Sequence, residues 1–137
     1  MRPLPLPLPL PLPLLLLAFA LAFPAQADES ATIEPQALIE RLAWGDQALV
    51  VLDVRTAAEY EEGHVPGAQN IPHTELAARI AELSAAQSSD IVVYCRSGAR
   101  AAQALAVLES AGFRRLFHLQ GDYTRWSAES RPVIRPQ

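Results

Sequence analysis

Two runs of apolar residues, at 48–54 and 91–94, constrain the fold of this chain more than any other feature. They read ALVVLDV and IVVY, so both faces of each predicted strand are apolar. A strand of this kind must be covered on both faces, which is typical of a parallel sheet flanked by helices. We predict two further, shorter strands at 68–71 and 116–119.

Segments with helical periodicity separate these strands. Apolar residues at helical spacing predict helices at 35–44, 74–83, 99–110 and 123–127. Thr56, followed three residues later by Glu59, has the capping-box pattern that begins another short helix. Because strands alternate with helices, we predict an α/β domain with a mainly parallel central sheet flanked by helices. The segment 131–137 is interpreted as a polar tail.

The first 27 residues carry the pattern of an export signal. Arg2 is followed by an apolar run without proline at 14–23, and Ala25-Gln26-Ala27 places small residues at the two positions that a signal peptidase recognises. We therefore predict a periplasmic or secreted protein. The predicted parts are a removed signal peptide at 1–27 and one mature domain at 28–137, with its core at about 33–134.

Composition and the single cysteine exclude several classes of function. The chain has 11 arginines, no lysine and 15 acidic residues, and its formal charge of −4 argues against nucleic-acid binding, which needs a basic surface. Cys95 alone can form neither an internal disulfide nor a cysteine-cluster metal site, and the three histidines lack metal-ligand spacing. We expect no metal, no cofactor and, after cleavage, no membrane insertion.

Cys95 follows directly on the predicted strand at 91–94 and precedes a predicted helix. In parallel sheets, the carboxyl ends of the strands form the ligand crevice. Small residues in the loop allow backbone N–H groups to converge, and the start of the helix adds positive charge character. With Arg96 and Arg100 beside it, Cys95 is predicted to be a thiolate nucleophile. The alternative interpretation is a small, buried core residue.

The loop and several upstream segments resemble a single rhodanese domain, over about 33–134. The matching segments are Asp53-Val54-Arg55, Glu59-Tyr60, Gly63-His64-Val65-Pro66-Gly67-Ala68, Asn70-Ile71-Pro72 and Cys95-Arg96-Ser97-Gly98-Ala99-Arg100. The resemblance implies the rhodanese α/β fold and a persulfide carried by Cys95. It also implies that Arg100 helps to hold an anion and that Arg96 acts at the loop entrance. The residues whose backbone N–H groups would cradle the sulfur and the anion are Arg96, Ser97, Gly98, Ala99, Arg100 and Ala101.

The chain departs from the rhodanese pattern at two positions. The loop commonly ends in serine, where Ala101 stands here, so one hydroxyl is missing while the backbone N–H remains. The family usually has two consecutive glycines ahead of a later aromatic residue, and here Gly121 is followed by Asp122. Aspartate tolerates left-handed backbone better than most residues, so we expect the turn at Asp122 to form.

The length of the loop favours sulfur transfer. Four residues separate Cys95 from Arg100, whereas phosphatases with a cysteine nucleophile use C-x5-R, a loop wide enough for a tetrahedral phosphate. We predict a sulfurtransferase that moves a sulfane sulfur from thiosulfate or a similar donor to cyanide or a thiol, which could belong to a partner protein's cysteine. The alternatives are a non-catalytic sulfane-sulfur carrier or redox-sensing module, and a phosphatase or arsenate-reductase-like enzyme.

Other conspicuous residues are assigned structural roles. Asp53 and Arg55 end a buried strand near the same sheet edge as Cys95, and they are predicted to form an ion pair that supports the loop. His64 is interpreted as a turn residue, and the acidic residues at 59–62 as a solvated helix face.

Overall fold

The computed structural model describes residues 1–9 and 31–137. Residues 1–9 form no helix or strand. The apolar run at 14–23 and the predicted cleavage site after Ala27 lie outside the described residues, so the signal peptide stays a prediction. Among the described residues, no helix is both long enough and apolar enough to span a bilayer.

A five-stranded sheet forms the centre of the fold, and its strand pairs are parallel. The strands are β1 (Thr32–Ile33), β2 (Leu49–Asp53), β3 (Gln69–Asn70), β4 (Asp90–Tyr94) and β5 (Leu116–Leu119), in the spatial order β1-β5-β4-β2-β3. β2 and β4 are the two apolar runs, and they pair from Leu49 opposite Asp90 to Asp53 opposite Tyr94. The predicted parallel α/β sheet is confirmed.

Helices cover both faces of this sheet. They are α1 (Pro35–Ala43), α2 (Ala57–Glu62), α3 (Ala99–Ser110) and α4 (Asp122–Ala128), together with a 3₁₀ helix at Ile80–Ala86. In β4, Val93 belongs to the apolar cluster that includes Leu105 of α3. Its neighbour Val92 belongs to the other cluster, with Leu38 of α1 and Trp126 of α4. Alternate residues of the strand are therefore buried on opposite faces, which explains why the strand is apolar throughout.

Local sequence signals set the ends of two helices. The Thr56 hydroxyl accepts the backbone N–H of Glu59 at 3.2 Å, and the Glu59 carboxylate accepts the backbone N–H of Thr56 at 3.3 Å. The predicted capping box therefore begins α2. The bounds of α3 are those predicted at 99–110.

The segment predicted as one helix at 74–83 is instead a series of turns followed by the 3₁₀ helix. Arg79, at the junction, has φ −109° and ψ 13°, outside the helical region, so the two parts do not join into one helix. Leu76 and Leu83 are nevertheless buried. Apolar residues spaced three or four apart fall on one face in consecutive turns as well as in a regular α-helix. Periodicity alone therefore does not distinguish these two structures.

Two segments pack more closely against the core than predicted. β1, a two-residue edge strand that pairs with β5, was not predicted from the sequence. The interpretation of 131–137 as a tail is wrong for its first residues: His64 and Ile134 exchange backbone hydrogen bonds of 3.0 and 2.9 Å, and Trp126 Nε1 donates to the carbonyl of Pro132 at 2.8 Å. The physical reason is that Trp126 is fully buried and its indole N–H needs an acceptor.

Candidate active site

Cys95 lies at the carboxyl end of β4, between that strand and the start of α3. β4 is a central strand with β2 on one side and β5 on the other, so the loops that follow these strands surround the cysteine. Cys95 is 1% exposed, while Arg96, Ser97 and Ala99 are exposed. The fold therefore places the thiol at the floor of a loop whose following residues face solvent, at the sheet edge where parallel α/β folds bind ligands.

The backbone N–H of Gly98 donates to Cys95 Sγ at 3.0 Å. Gly98 is also the residue that precedes α3, and its φ of +114° allows the chain to turn from the loop into the helix. Cys95 also belongs to the apolar cluster that includes Leu105, so its burial fits the alternative interpretation of a core residue. The N–H aimed at its sulfur from a helix start, by contrast, is an arrangement that stabilises a thiolate.

Asp122 holds the cysteine from the opposite side. Its Oδ1 accepts the backbone N–H of Cys95 at 3.0 Å, and the carbonyl of Cys95 accepts the backbone N–H of Tyr123 at 3.0 Å. Asp122 has φ +52°, so the expected left-handed turn at this position is confirmed. The Asp122 carboxylate is buried beneath the loop, 3% exposed, which the sequence did not predict.

His118, on β5, is a second residue whose role the sequence did not predict. Its Nε2 lies 3.0 Å from both carboxylate oxygens of Asp122. The hydrogen bond to Asp122 raises the pKa of His118 above 6.5, against the opposing effect of burial. The spacing of four residues between the two was the available signal, but the two residues lie on different elements, so a helical i,i+4 argument did not apply.

Arg100 forms a two-bonded ion pair with Glu59 of α2. Its Nη1 and Nη2 donate to the Glu59 carboxylate oxygens at 2.6 and 3.0 Å. The hydrogen bonds with Arg100 are the largest cause that lowers the pKa of Glu59 to about 2. The same hydrogen bonds raise the pKa of Arg100, to which Cys95 makes a smaller contribution. Glu59 is therefore not part of a solvated face as interpreted; it is half-buried against the arginine beside the nucleophile. The anion-holding role of Arg100 stays a prediction.

Arg96, Ser97, Ala99 and Ala101 take different positions in the loop. The carbonyl of Arg96 accepts two hydrogen bonds from Thr124, from the backbone N–H at 3.1 Å and from the hydroxyl at 2.7 Å. Ser97 and Ala99 are exposed, whereas Ala101 is fully buried in the apolar cluster on the α3 side. A serine hydroxyl at 101 would need a hydrogen-bond partner in that cluster, so alanine fits the packing.

The predicted ion pair of Asp53 and Arg55 forms, while its support of the loop stays a prediction. The Arg55 guanidinium bonds the Asp53 carboxylate at 2.7 Å and the carbonyl of Gly63 at 2.7 Å. Tyr94 donates its hydroxyl to the same carboxylate at 2.6 Å, and burial raises the pKa of Tyr94. The guanidinium also lies over the ring of Tyr123, 4.0 Å from its centroid. This buried network ties β2 to the turn at Gly63 and to α4.

A pocket of about 430 Å³ opens beside the loop. Arg55 and Arg96 line it with Tyr123 and Thr124, and Glu59 and Glu62 contribute carboxylates. The pocket therefore lies at the entrance of the loop and is lined by positively and negatively charged side chains. Within residues 1–9 and 31–137, no three His, Cys, Asp or Glu side chains are grouped so as to hold a metal ion.

Comparisons with known proteins agree with this geometry. The family of the rhodanese-like domain matches residues 34–129. A sulfurtransferase of Allochromatium vinosum is 36% identical over 105 residues, 77% of this chain and 95% of that protein. The chloroplastic thiosulfate sulfurtransferase 16 of Arabidopsis thaliana is 34% identical over 92 residues, 60% of this chain and 77% of that protein. The crystal structure of the Alr3790 protein from Anabaena sp. has a TM-score of 0.69 at 36% identity, covering 76% of this chain and 82% of that one.

Proposed function

Because this chain belongs to the rhodanese-like family, we propose that it is a sulfurtransferase whose sulfur-carrying residue is Cys95. One observation carries the proposal: the backbone N–H of Gly98 donates to Cys95 Sγ at 3.0 Å, at the start of the 12-residue helix α3. A donor aimed at sulfur from a helix start stabilises negative charge on that sulfur. The family supplies the type of chemistry, and the hydrogen bond supports the choice of residue.

The proposed reaction has two steps of covalent catalysis. In the first, the Cys95 thiolate attacks the outer sulfur of thiosulfate or a similar donor. A new S–S bond forms, the S–S bond of the donor breaks, and sulfite leaves with its electron pair. In the second, a thiolate or cyanide attacks the outer sulfur of the Cys95 persulfide, takes that sulfur, and returns Cys95 as a thiolate. Electrons balance in each step, so neither step needs an external oxidant, a reductant or a cofactor.

Loop residues stabilise the charges in both steps. The backbone N–H groups of residues 96–101 would surround the persulfide and the incoming anion, as preorganised donors do in other anionic intermediates. Arg100 would contribute positive charge at the loop, and Arg96 would meet the donor at the entrance. The short C-x4-R loop supports transfer of a terminal sulfur rather than of a larger tetrahedral phosphate.

The pocket beside Arg96 supports a charged acceptor. Its guanidinium and carboxylate groups could bind a small thiol that carries both signs of charge, or the segment around a cysteine of a partner protein. We further propose that the protein acts outside the cytoplasm, as the signal-like pattern at 1–27 suggests. Mass spectrometry of the exported protein tests the location directly, because a mature chain that begins at Asp28 would match cleavage after Ala27.

Incubation with thiosulfate, followed by mass spectrometry of the intact protein, tests the chemistry. We expect one added sulfur on the wild type, release of sulfite, and neither in Cys95→Ser. Ser110→Ala is a matched control, because it removes an exposed hydroxyl at the far end of α3 and leaves the thiol and its loop unchanged. Full sulfite release by Cys95→Ser would refute the proposal. Hydrolysis of p-nitrophenyl phosphate at a rate above that of sulfur transfer would favour the phosphatase alternative instead.

The ion pair of Arg100 with Glu59 favours one second candidate, a sulfur carrier with slow turnover. Glu59 offsets the charge that Arg100 could offer to a dianionic donor such as thiosulfate. A carrier would take up one sulfur per chain and release it only to a specific acceptor. Steady-state sulfite production compared with the amount of Cys95 persulfide distinguishes the two: many sulfites per chain indicate an enzyme, and about one indicates a carrier.

A further inference from the structure

The segment Cys95–Gly98 rests on two titratable side chains that the proposed reaction does not use. A Cβ atom added to Gly98 would lie 3.2 Å from Asp122 Oδ2 and 3.4 Å from His118 Cε1. Gly98 therefore separates the thiol, to which its N–H donates, from the His118–Asp122 pair on its other side. The same carboxylate also accepts the backbone N–H of Cys95. A change of charge in this pair therefore alters the electrostatic potential at the Cys95 sulfur, because only the backbone of Gly98 lies between them.

We propose that His118 and Asp122 are positioning residues for Cys95, and that the protonation of His118 controls how readily the cysteine becomes an anion. When His118 is protonated, its positive charge compensates the buried carboxylate of Asp122. The backbone N–H donors of the loop then stabilise negative charge on the sulfur without a second negative charge beneath them. When His118 loses its proton, an uncompensated negative charge remains beneath the loop and disfavours a second one on sulfur. The bearing on sulfur transfer rests on the proposed function, whereas the effect on the thiol does not.

The hydrogen bond between the two side chains survives this change of charge. His118 Nε2 is the atom that faces Asp122, so Nε2–H can donate in both protonation states. The proton that is lost is then the one on Nδ1. Titration changes the charge while the geometry of the loop is kept, which is what a graded control of reactivity needs.

Among the described residues, Asp122 is the charged side chain that forms a hydrogen bond and an ion pair with His118. On the adjacent strands, the residues in register with His118 are Thr32 and Val93, neither of which titrates. Arg100 on α3 and Arg125 on α4 are each bound by glutamates of their own. The Asp122 hydrogen bond is the largest cause of the raised pKa of His118, so the pairing favours the protonated, compensated state.

The pH dependence of Cys95 alkylation by iodoacetamide tests the proposal without any sulfur donor. His118→Gln keeps an N–H donor and removes the positive charge, and Asp122→Asn keeps an acceptor and tolerates the left-handed backbone. We expect the alkylation midpoint of His118→Gln to lie about one pH unit above that of Asp122→Asn, with the wild type between them. The double variant should match Asp122→Asn, because the uncompensated charge is then gone. Asp46→Asn is the matched control, because Asp46 forms an ion pair with Arg41 in the turn before β2, and this variant should match the wild type.

Two results would overturn the proposal. Equal midpoints for His118→Gln and Asp122→Asn would show that the pair exerts no charge effect, and a double variant that stays with His118→Gln would indicate lost packing instead. A wild-type measurement covers the event that a variant does not fold: by NMR, the titration midpoint of His118 should fall when Cys95 is alkylated, since the anion is removed. An unchanged midpoint would refute the coupling. If alkylation behaves as expected and thiosulfate is not turned over, the proposed function fails while this inference holds.

Discussion

The ion pair between Glu59 and Arg100 can be broken without removing a hydrogen-bonding group, by the substitution Glu59→Gln. Glutamine retains one side-chain acceptor for the capping box at the start of α2, while its NH2 group replaces the second carboxylate oxygen and cannot accept from Arg100. Arg100 would lose its two carboxylate bonds, of 2.6 and 3.0 Å, and would become available to an anion at the loop. We therefore expect lower stability together with tighter binding of an anionic sulfur donor.

The size of the stability effect is bounded by the pKa of Glu59, which the pairing with Arg100, together with smaller effects of hydrogen bonds from Thr56, lowers from 4.5 to about 2. At about 1.4 kcal/mol for each tenfold change in protonation, this sets an upper limit of about 3 kcal/mol. Both side chains are about a quarter exposed, at 24% and 27%, and solvent screens such pairs, so we expect a loss of about 1 to 2 kcal/mol at pH 7.

The sign of the pH dependence is also determined. Because the pKa of Glu59 is lower in the folded state than in the unfolded chain, the pair stabilises the protein above about pH 4.5, and this stability is lost as the pH falls toward 2. Urea unfolding of the wild type and of Glu59→Gln should therefore give a difference at pH 7 that shrinks by more than half near pH 3. Glu82→Gln breaks an exposed pair with Arg79 far from the loop and should give a difference near zero.

Thiosulfate kinetics complete this test. We expect the KM of Glu59→Gln for thiosulfate to fall by about two- to fivefold, the range that corresponds to a partly exposed ion pair. The reasoning is refuted if the variant is as stable as the wild type at pH 7, or if the difference is the same at both pH values. An unchanged KM with the expected loss of stability would show that Arg100 does not contact the donor.

Three further changes have defined outcomes. Arg55→Met leaves the fully buried Asp53 carboxylate without its cation and should cost about 3 to 5 kcal/mol in urea unfolding; a loss below 1 kcal/mol would contradict the role of this pair. Gly98→Ala forces a side chain onto a residue at φ +114° and against the Asp122 carboxylate at 3.2 Å, so it should lower the melting temperature and slow Cys95 alkylation at neutral pH. Thr56→Ala removes the capping hydroxyl of α2 and should cost about 1 kcal/mol by the same unfolding assay.

Much of the fold could be predicted from short segments of sequence. The runs at 48–54 and 91–94 are apolar apart from Asp53, and they form the central pair β2 and β4. Thr56 and Glu59 lie three residues apart and make the capping box that their spacing predicts. Segments whose structure depends on distant contacts were predicted less well. The strand β1 has two residues and exists because β5 lies beside it, and the segment after 131 is held by a bridge to His64.

The candidate site divides in the same way. The sequence by itself determined that Cys95 ends a buried strand and starts a loop that leads into a helix, because those features depend on residues that are neighbours along the chain. Only the tertiary structure decided what surrounds the loop. Glu59 reaches Arg100 across 41 residues, and the Asp122 carboxylate reaches the backbone of Cys95 across 27. The charge balance around the thiol is a sum over groups brought together from separate strands and helices, and their distances, which set the electrostatic energies, are defined only when the chain is folded.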